Sequence, residues 1–391
     1  MYMPGNMMKR AKNKNVLIVI PHNMFWVGST QPIVEHPAFK RKLSYIADLF
    51  NLIIIFIGGN EHDIKYIKHD DVKTIIIQVK YTNILLYSLR ILIWFLRLLV
   101  HFHSKRIKNI VLYVFDHGHL YPLLIQILCK LLGCKIISFY VIKPFNFKEK
   151  IIYFISKYLD DLSLVNHPLL ARDLKLRRAL TIIIPNYPQE RDLLVSLDEL
   201  SSIDELIQRK KPFLVYVGRL SYEKNPELVL YIFREIHNIC KYKGLELSLL
   251  IVGDGPLRRN LEELSVRLGI NDYVMFLGHK RLEEVFEIIR QALILIHMSL
   301  YEYFPNVVIE AMSMGTLVVT PNLPQYKWIS GLTLIDFNDI FSSIAALCEV
   351  LRNKELYKQC FYEQLKRLIY LKNLYEKNIV KLRSVVTKFL H

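Results

Sequence analysis

Residues 299–315 of the chain, SLYEYFPNVVIEAMSMG, place two carboxylates around the start of a predicted helix. The apolar run at residues 292–297 predicts a buried strand directly before this stretch. Pro305 suits the first helical position, and the glycine that ends the stretch suits a left-handed helix end. Glu302 then falls in the loop between strand and helix, and Glu310 falls one turn inside the helix. A strand, a loop and a helix in this order are the repeating unit of a parallel α/β sheet.

The start of this helix is suited to an anion. The backbone N–H groups of Asn306, Val307 and Val308 precede the first intrahelical hydrogen bonds and can hold a diphosphate. Glu310 can bind vicinal hydroxyls such as those of a ribose, and Glu302 can reach a second polyol. A single glutamate is more often a solvated surface charge. The pair in this setting favours a ligand that contains a sugar, a diphosphate and a ribose.

Apolar runs typical of strands alternate with helical patterns along the whole chain. Strands are predicted in a first series at residues 16–20, 52–57, 74–79, 110–115, 135–141, 162–165 and 181–184, and in a second series at residues 213–217, 248–252, 274–277, 292–297 and 316–320. Helices are predicted around residues 39–50, at 122–132, from 226 to about 242, at 257–268 and over most of 340–391. This alternation predicts an α/β protein with two Rossmann-like domains. We place the first domain at residues 1–190, a linker at 191–211, the second domain at 212–350, and helices that pack back toward the first domain at 351–391.

Composition limits the classes of function. A length of 391 residues suggests two or three domains, and 52% hydrophobic with 23% charged residues is typical of a globular protein. The formal net charge of +16 calls for an anionic partner, which is a nucleic acid, an anionic lipid or a phosphorylated small molecule. The basic residues are scattered rather than gathered with aromatic residues in a nucleic-acid module, so we predict no nucleic-acid partner.

The cysteines and the N-terminal residues predict a cytoplasmic protein. The five cysteines are odd in number and lack the close pairs typical of a zinc site or a disulfide scaffold, so we expect core thiols in a reducing compartment. The basic residues 1–15 precede an apolar run that is too short for a signal peptide.

Residues 84–103 form the most apolar stretch of the chain. Arg90 and Arg97 interrupt it, so it lacks the roughly 18 uncharged residues of a membrane-spanning helix. Two explanations remain open. The stretch lies in a membrane interface and is attracted to anionic lipid, or it packs on the sheet while its arginine side chains extend to solvent.

Further candidates follow the strands of the second half. Arg219 and Lys224 come directly after one predicted strand and can neutralise a diphosphate. Gly255 lies in a tight turn, GDGP, after the next strand, and His279 follows the strand after that and can offer backbone groups to a nucleobase. Taken singly, each cation is most often a surface residue, and a tight turn alone is a weak signal.

These motifs together resemble a known family. VGRL at residues 217–220 with Glu223 and Lys224, VGDGP at 252–256, and Glu302 with Glu310 occur in the order found in the retaining GT-B glycosyltransferases of family four. The resemblance covers residues 213–320, and residues 184–186 resemble the entry to that family's second domain. It implies two Rossmann-like domains that face each other across a cleft, with the nucleotide-sugar donor in the second domain and the acceptor in the first.

The resemblance also implies roles for residues. Arg219 and Lys224 correspond to the diphosphate clamp, Glu310 to the ribose ligand and Glu302 to the contact with the donor sugar. The backbone at residues 306–308 corresponds to the contact with phosphate or sugar. The family needs no metal or other cofactor, and the leaving phosphate helps to deprotonate the acceptor hydroxyl.

The first half departs from the family pattern. The usual paired glycines after the first strand are absent, and only Gly28 in that loop is left to let a substrate approach the backbone. Tyr140 stands where many members carry a histidine that contacts the donor sugar, and His119, or its neighbour His117, is the candidate substitute.

The sequence thus predicts a retaining, metal-independent hexosyltransferase. Its predicted partners are a nucleotide-sugar donor and an acceptor that is a glycan or a lipid-linked glycan, together with peripheral association with an anionic membrane. Two alternatives remain: a nucleotide-sugar epimerase of the same fold, and a catalytically silent protein that binds a nucleotide or carbohydrate.

Overall fold

A computed structural model describes residues 15–20, 42–59, 63–69, 72–80, 84–104, 107, 109–115, 120–141, 143–144, 146–177, 180–187, 212–329 and 335–391. The chain forms two compact units. The first consists of Met1–Ile184 with Glu376–His391, and the second of Pro185–Tyr375. The linker predicted at residues 191–211 lies outside the described residues.

The first unit contains an eight-stranded sheet in the order β3-β4-β2-β1-β5-β6-β7-β8. Its strands are β1 Val16–Ile20, β2 Leu52–Gly59, β3 Asp63–His69, β4 Val72–Lys80, β5 Ile110–Val114, β6 Lys135–Tyr140, β7 Leu162–Val165 and β8 Thr181–Ile183. All described neighbours are parallel except β3, which pairs antiparallel with β4. Every residue of the central strand β1 is buried, as expected for a parallel strand that is covered on both faces.

Helices pack against this sheet. They are α1 Ile84–Ser104, α2 Leu120–Leu131, α3 Phe147–Leu159 and the short α4 Pro168–Asp173. Phe95 and Leu98 of α1 and Ile125 of α2 pack in one core with alternate residues of the central strands. Among the described helices, none is both long and apolar enough to cross a membrane.

The second unit contains a five-stranded parallel sheet in the order β11-β10-β9-β12-β13. Its strands are β9 Phe213–Val217, β10 Ser248–Val252, β11 Val274–Gly278, β12 Ile294–Ile296 and β13 Leu317–Val319. Its helices are α5 Pro226–Tyr242, α6 Arg258–Arg267, α7 Leu282–Gln291, α8 Asn306–Ser313, α9 Pro324–Ile329 and α10 Ile340–Arg352. The last helix, α11 Lys354–Leu390, continues from the second unit into the residues that belong to the first.

Most predicted elements are present, and the differences are local. The helix α8 begins at Asn306, one residue after the predicted position, because Pro305 has extended dihedral angles and occupies the position before the first helical residue. The helix expected around residues 39–50 is reduced, in its described part, to one short helical segment and the 3₁₀ turn Ala47–Leu49. The strand β3 and the helices α3, α4, α7 and α9 were not predicted.

Candidate functional site

Two neighbouring strands of the second sheet bring the predicted site residues together. The strands β9 and β12 are parallel and adjacent, so their carboxyl ends lie at the same edge of the sheet. The segment after β9 carries Arg219 and Lys224, and the segment after β12 carries His297 and Glu302. Residues about 80 positions apart in the chain therefore meet at one end of the sheet, as the distance between Lys224 and Glu302 shows.

The centre of the site is Glu302, which forms an ion pair with Lys224 and lies close to His297. Lys224 Nζ lies 2.6 Å from Glu302 Oε1, and His297 Nε2 lies 3.2 Å from Glu302 Oε2. The side chains of Lys224 and Glu302 are 25% and 31% exposed, whereas that of His297 is buried. We name these three residues the Glu302 triad.

The triad keeps Glu302 ionised. Burial alone would raise the pKa of the Glu302 carboxyl, but the hydrogen bond and charge of His297 and the charge of Lys224 lower that pKa to about 2. Burial and the negative charge of Glu302 in turn raise the pKa of Tyr216 on β9. At neutral pH the site thus presents a carboxylate with restricted side-chain geometry.

Hydrogen bonds fix the two segments that carry the triad. Ser299 Oγ donates to the carbonyl oxygen of Glu223 at 3.0 Å, which ties the segment after β12 to the segment after β9. Tyr326 Oη donates to the carbonyl oxygen of Ser299 at 2.6 Å. The backbone N–H of His297 donates to Val319 at 2.9 Å, so the histidine is held by the sheet itself.

The N-terminus of α8 lies a few residues beyond Glu302. Pro305 provides no side-chain cap, so the first N–H groups of the helix, those of Asn306, Val307 and Val308, precede its first internal hydrogen bonds. Asn186 Nδ2 donates to Asn306 Oδ1 at 2.8 Å and lies 3.3 Å from the carbonyl oxygen of Phe304, which fixes this end of the helix. A fixed helix N-terminus with a positive partial charge is suited to a phosphate.

Glu310 lies in the second turn of α8 and is half-buried. Its neighbours Ile309 and Ala311 are buried in the core beneath the helix. The helix ends at Ser313, and Gly315, two residues later, has a φ of 82°, the left-handed conformation predicted for it.

The glycine turn after β10 has a packing role. The backbone N–H of Leu220 donates to Asp254, and the N–H of Leu257 donates to Leu220, both at 3.0 Å. A Cβ atom added at Gly255 would lie 2.4 Å from the carbonyl oxygen of Leu220, and one at Gly253 would lie 2.0 Å from that of Gly218. The close approach of two loops therefore accounts for both glycines, whereas Gly255 was predicted to bind substrate.

Arg219 and His279 are exposed at the same edge of the sheet. Arg219 follows β9, and its charge contributes to a lowered pKa of Glu223, of which the hydrogen bond from Ser221 is the largest cause. His279 follows β11, the edge strand of this sheet. No group of three His, Cys, Asp or Glu side chains in the described part of the chain is arranged to hold a metal ion.

In the first half, the predicted site residues lie outside the described residues or are buried. Gly28, His117 and His119 lie outside the described residues. Tyr140 lies at the carboxyl end of β6 but is 1% exposed, and its hydroxyl donates to Asp160 Oδ2 at 2.7 Å. Asp160 Oδ2 also accepts from Ser163 Oγ at 3.1 Å. We therefore assign Tyr140 to a buried polar network rather than to a contact with substrate.

Sequence reasoning missed His297. It ends the apolar run at residues 292–297 and was counted as a strand residue. The available signal was its place, since a polar residue at the carboxyl end of a buried parallel strand lies where such sheets bind ligands.

Comparison with known proteins finds relatives in sequence for the second half of the chain. A family model, Glycosyl transferases group 1, matches residues 199–367. Residues 199–367 are thus similar to members of that family. An uncharacterized glycosyltransferase of Methanocaldococcus jannaschii is 32% identical over 138 residues, which are 35% of this chain and 34% of the relative. One subunit of the human phosphatidylinositol N-acetylglucosaminyltransferase is 33% identical over 136 residues, which are 35% of this chain and 27% of the relative. The matches thus span between about a quarter and a third of the length of these relatives.

Solved structures match nearly the whole chain in fold. The alpha,alpha-trehalose-phosphate synthase of Burkholderia vietnamiensis covers 95% of this chain and 100% of its own, with a TM-score of 0.67 and 12% identity. Anabaena HepE in complex with UDP covers 96% and 99%, with a TM-score of 0.64 and 15% identity. The predicted α/β fold class, GT-B, is confirmed.

Proposed function

We propose that this protein transfers a hexose-type sugar from a nucleoside-diphosphate sugar to an acceptor hydroxyl, with retention of configuration and without a metal ion. The observation that carries the proposal is the Glu302 triad beside a helix N-terminus at the carboxyl edge of the second sheet. The family match over residues 199–367 supports a nucleotide-sugar donor.

The diphosphate of the donor has three positive groups available to it. Arg219 offers a planar guanidinium for bidentate contact, and the N-terminus of α8 offers backbone N–H groups. Lys224 already pairs with Glu302, but an ammonium group has three donors, so it can hold a phosphate oxygen and the carboxylate together. In this assignment the diphosphate lies between Arg219, Lys224 and residues 306–308.

The two glutamates hold the sugars at either end of that diphosphate. Glu302 is ionised, and its carboxylate has lone pairs beyond the one that faces Lys224, so it can accept from a hydroxyl of the donor hexose. Glu310 is one helical turn inside α8 and is assigned to the ribose hydroxyls. His297 does not contact substrate in this assignment and positions Glu302.

The proposed reaction replaces one bond to the anomeric carbon with another on the same face. The bond from that carbon to the diphosphate oxygen breaks, the acceptor oxygen forms the new bond, and the acceptor proton passes to the departing phosphate. Arg219, Lys224 and the helix N-terminus stabilise the negative charge that develops on the leaving group. In this proposal, fixed cationic groups of the protein stabilise the leaving diphosphate, as a bound metal ion does in other transferases.

The acceptor is proposed to be a growing glycan, carried on a lipid at the cytoplasmic face of a membrane. The support is the basic and apolar character of the first half and the name of the human relative, which is one subunit of a phosphatidylinositol N-acetylglucosaminyltransferase.

A thermal-shift panel tests the donor site. Wild type, Glu310→Ala and Glu349→Ala are each heated with UDP, GDP and ADP and with their sugars; Glu349 is an exposed glutamate on α10 that serves as the matched control. A ligand that binds only the folded state raises the free energy of unfolding, by about 2.7 kcal/mol at a ligand concentration of 100 times its Kd, and the unfolding midpoint rises with it. We expect the best ligand to stabilise wild type and Glu349→Ala but not Glu310→Ala. An undiminished shift in Glu310→Ala would contradict the assignment.

Product analysis then separates the transferase from its alternatives. With the donor selected by the panel, a transferase releases free nucleoside diphosphate when an acceptor is supplied. An epimerase changes the sugar of the donor without an acceptor, and a silent binding protein releases no nucleoside diphosphate.

A further inference from the structure

Three helices form one layer over a face of the first sheet. α1 contacts α2, and α2 contacts α3. The inward faces of α1 and α2 pack on the sheet through residues such as Phe95 and Ile125, and Ser156 of α3 donates a hydrogen bond to Gln126 of α2. The outward faces of the three helices therefore adjoin one another on the surface of this unit.

The outward face of α1 is apolar along its described length. Its exposed side chains recur at intervals of three or four residues, which places them on one side of the helix. They are Leu86, Leu89, Ile93, Leu96 and Val100. The opposite side carries the buried Ile91, Phe95, Leu98 and Phe102. This helix is thus apolar on both sides, and among the described residues only its inner side packs in the core.

The next two helices extend the apolar surface. The exposed residues are Leu120, Leu124 and Leu131 on α2, and Phe147, Ile151, Phe154, Ile155 and Tyr158 on α3. More than half of the exposed large apolar side chains among the described residues lie on α1, α2 and α3 or at Leu132 just after α2. A contiguous exposed patch of this kind marks an interaction surface. We name the exposed apolar residues of α1, α2 and α3 the three-helix face.

Charge indicates the partner. The sequences of the three helices contain six basic residues, which are Arg90, Arg97, Lys130, Lys148, Lys150 and Lys157, and one acidic residue, Glu149. Lys157 Nζ lies 5.0 Å from the ring centre of the exposed Phe154, and Arg177 lies 5.3 Å from that of Tyr158. Aromatic rings and aliphatic stripes beside cations suit the headgroup region of an anionic bilayer, where the rings enter the apolar boundary and the cations meet phosphates.

We propose that the three-helix face docks this protein on a membrane surface that contains anionic lipid. α1 lies in the plane of that surface, since Arg90 and Arg97 and the packing of its other side on the sheet keep it from spanning the bilayer. The proposal deepens the proposed function and rests on it for the choice of a lipid-linked acceptor. The docking itself is measurable without any sugar donor.

Vesicle sedimentation of the full chain tests the surface with matched variants. The docking variant is Val100→Gln with Phe147→Gln, whose native side chains are 70% and 79% exposed. The control is Val266→Gln with Phe341→Gln, which removes the same residue types at 62% and 78% exposure from helices of the second unit. The probes are vesicles of phosphatidylcholine alone and of phosphatidylcholine with phosphatidylglycerol.

We expect wild type and control to bind the anionic vesicles, with binding weakened as salt is raised from 0.1 to 0.5 M because exposed charges are screened. The docking variant should partition at least about tenfold less, since it loses two large apolar groups that enter the boundary region. Recovery of wild type in the supernatant with anionic vesicles would overturn the proposal, as would an equal loss in both double variants.

Size-exclusion chromatography without lipid distinguishes a protein partner. If wild type is a dimer, the docking variant is a monomer and vesicle binding is equal in both, the face joins two copies and the proposal is wrong. The thermal shift with nucleoside diphosphates should be the same in the docking variant and in wild type. Glu310→Ala should lose the thermal shift but still bind vesicles. This pair of results would show that the donor site and the docking surface are separate.

Discussion

Replacement of Glu302 by glutamine tests the electrostatics of the candidate site. The substitution keeps the shape of the side chain and removes the negative charge of Glu302, which faces Lys224 and His297. The pKa of Glu302 is about 2 in the folded protein against an ordinary value of 4.5. That difference corresponds to about 3 kcal/mol in favour of the ionised folded state. Because the Glu302 side chain is 31% exposed, solvent screening reduces the expected contribution to about 1–2 kcal/mol.

The sign of the pH dependence follows from the lowered pKa. The contribution of Glu302 is fully present above pH 4.5, where the unfolded chain is also ionised, and it is lost as the pH falls toward 2. Wild type should therefore exceed Glu302→Gln in free energy of unfolding by about 1–2 kcal/mol at pH 7 and by roughly two-fifths of that at pH 3. The proton that binds Glu302 at low pH makes the two proteins alike.

Urea denaturation from pH 3 to 7 provides the measurement, with fluorescence of Trp328 as the probe of the second unit. The other two tryptophans, Trp26 and Trp94, are replaced by phenylalanine in every protein compared. Glu363→Gln is the control, because Glu363 forms an ion pair with Lys366 at the same 2.6 Å but on an exposed helix surface. We expect little change in this control at any pH. A difference between wild type and Glu302→Gln that stays constant from pH 7 to pH 3 would refute the reasoning.

Two further predictions concern packing and burial. Gly255→Ala should lower the free energy of unfolding by about 2–3 kcal/mol, because the new Cβ would meet the carbonyl oxygen of Leu220. Gly269→Ala, which has open space around the Cβ, should cost about 1 kcal/mol; equal losses in urea denaturation would contradict this account. Burial raises the pKa of Asp160 to about 7, so the first unit should lose stability as the pH rises from 4 through 7. Asp160→Asn should remove this slope in denaturation curves followed by Trp94, and an unchanged slope would count against the assignment.

The sequence by itself determined most strands and the outline of the site. The strands β1 and β9 are continuous apolar runs because both faces of a parallel sheet are covered, and such runs are visible locally. The loop and helix that carry Glu302 and Glu310 were predicted for a similar reason, since Pro305 and Gly315 have local backbone preferences that set where a helix starts and ends. The edge strand β3, DIKYIKH, was missed because its charged residues hide the strand pattern, and its place depends on pairing with β4.

Only the tertiary structure decided which polar atoms meet. The sheet order places β9 beside β12, so Lys224 and His297 reach the same carboxylate although the chain separates them, and no local pattern encodes that order. Gly255 and Tyr140 show the same limit. Each suggested a ligand contact in the sequence, but the approach of Leu220 and the burial of Asp160 gave these residues partners inside the protein. Periodicity and propensity report the neighbours of a residue along the chain, whereas contacts between side chains depend on how the elements pack.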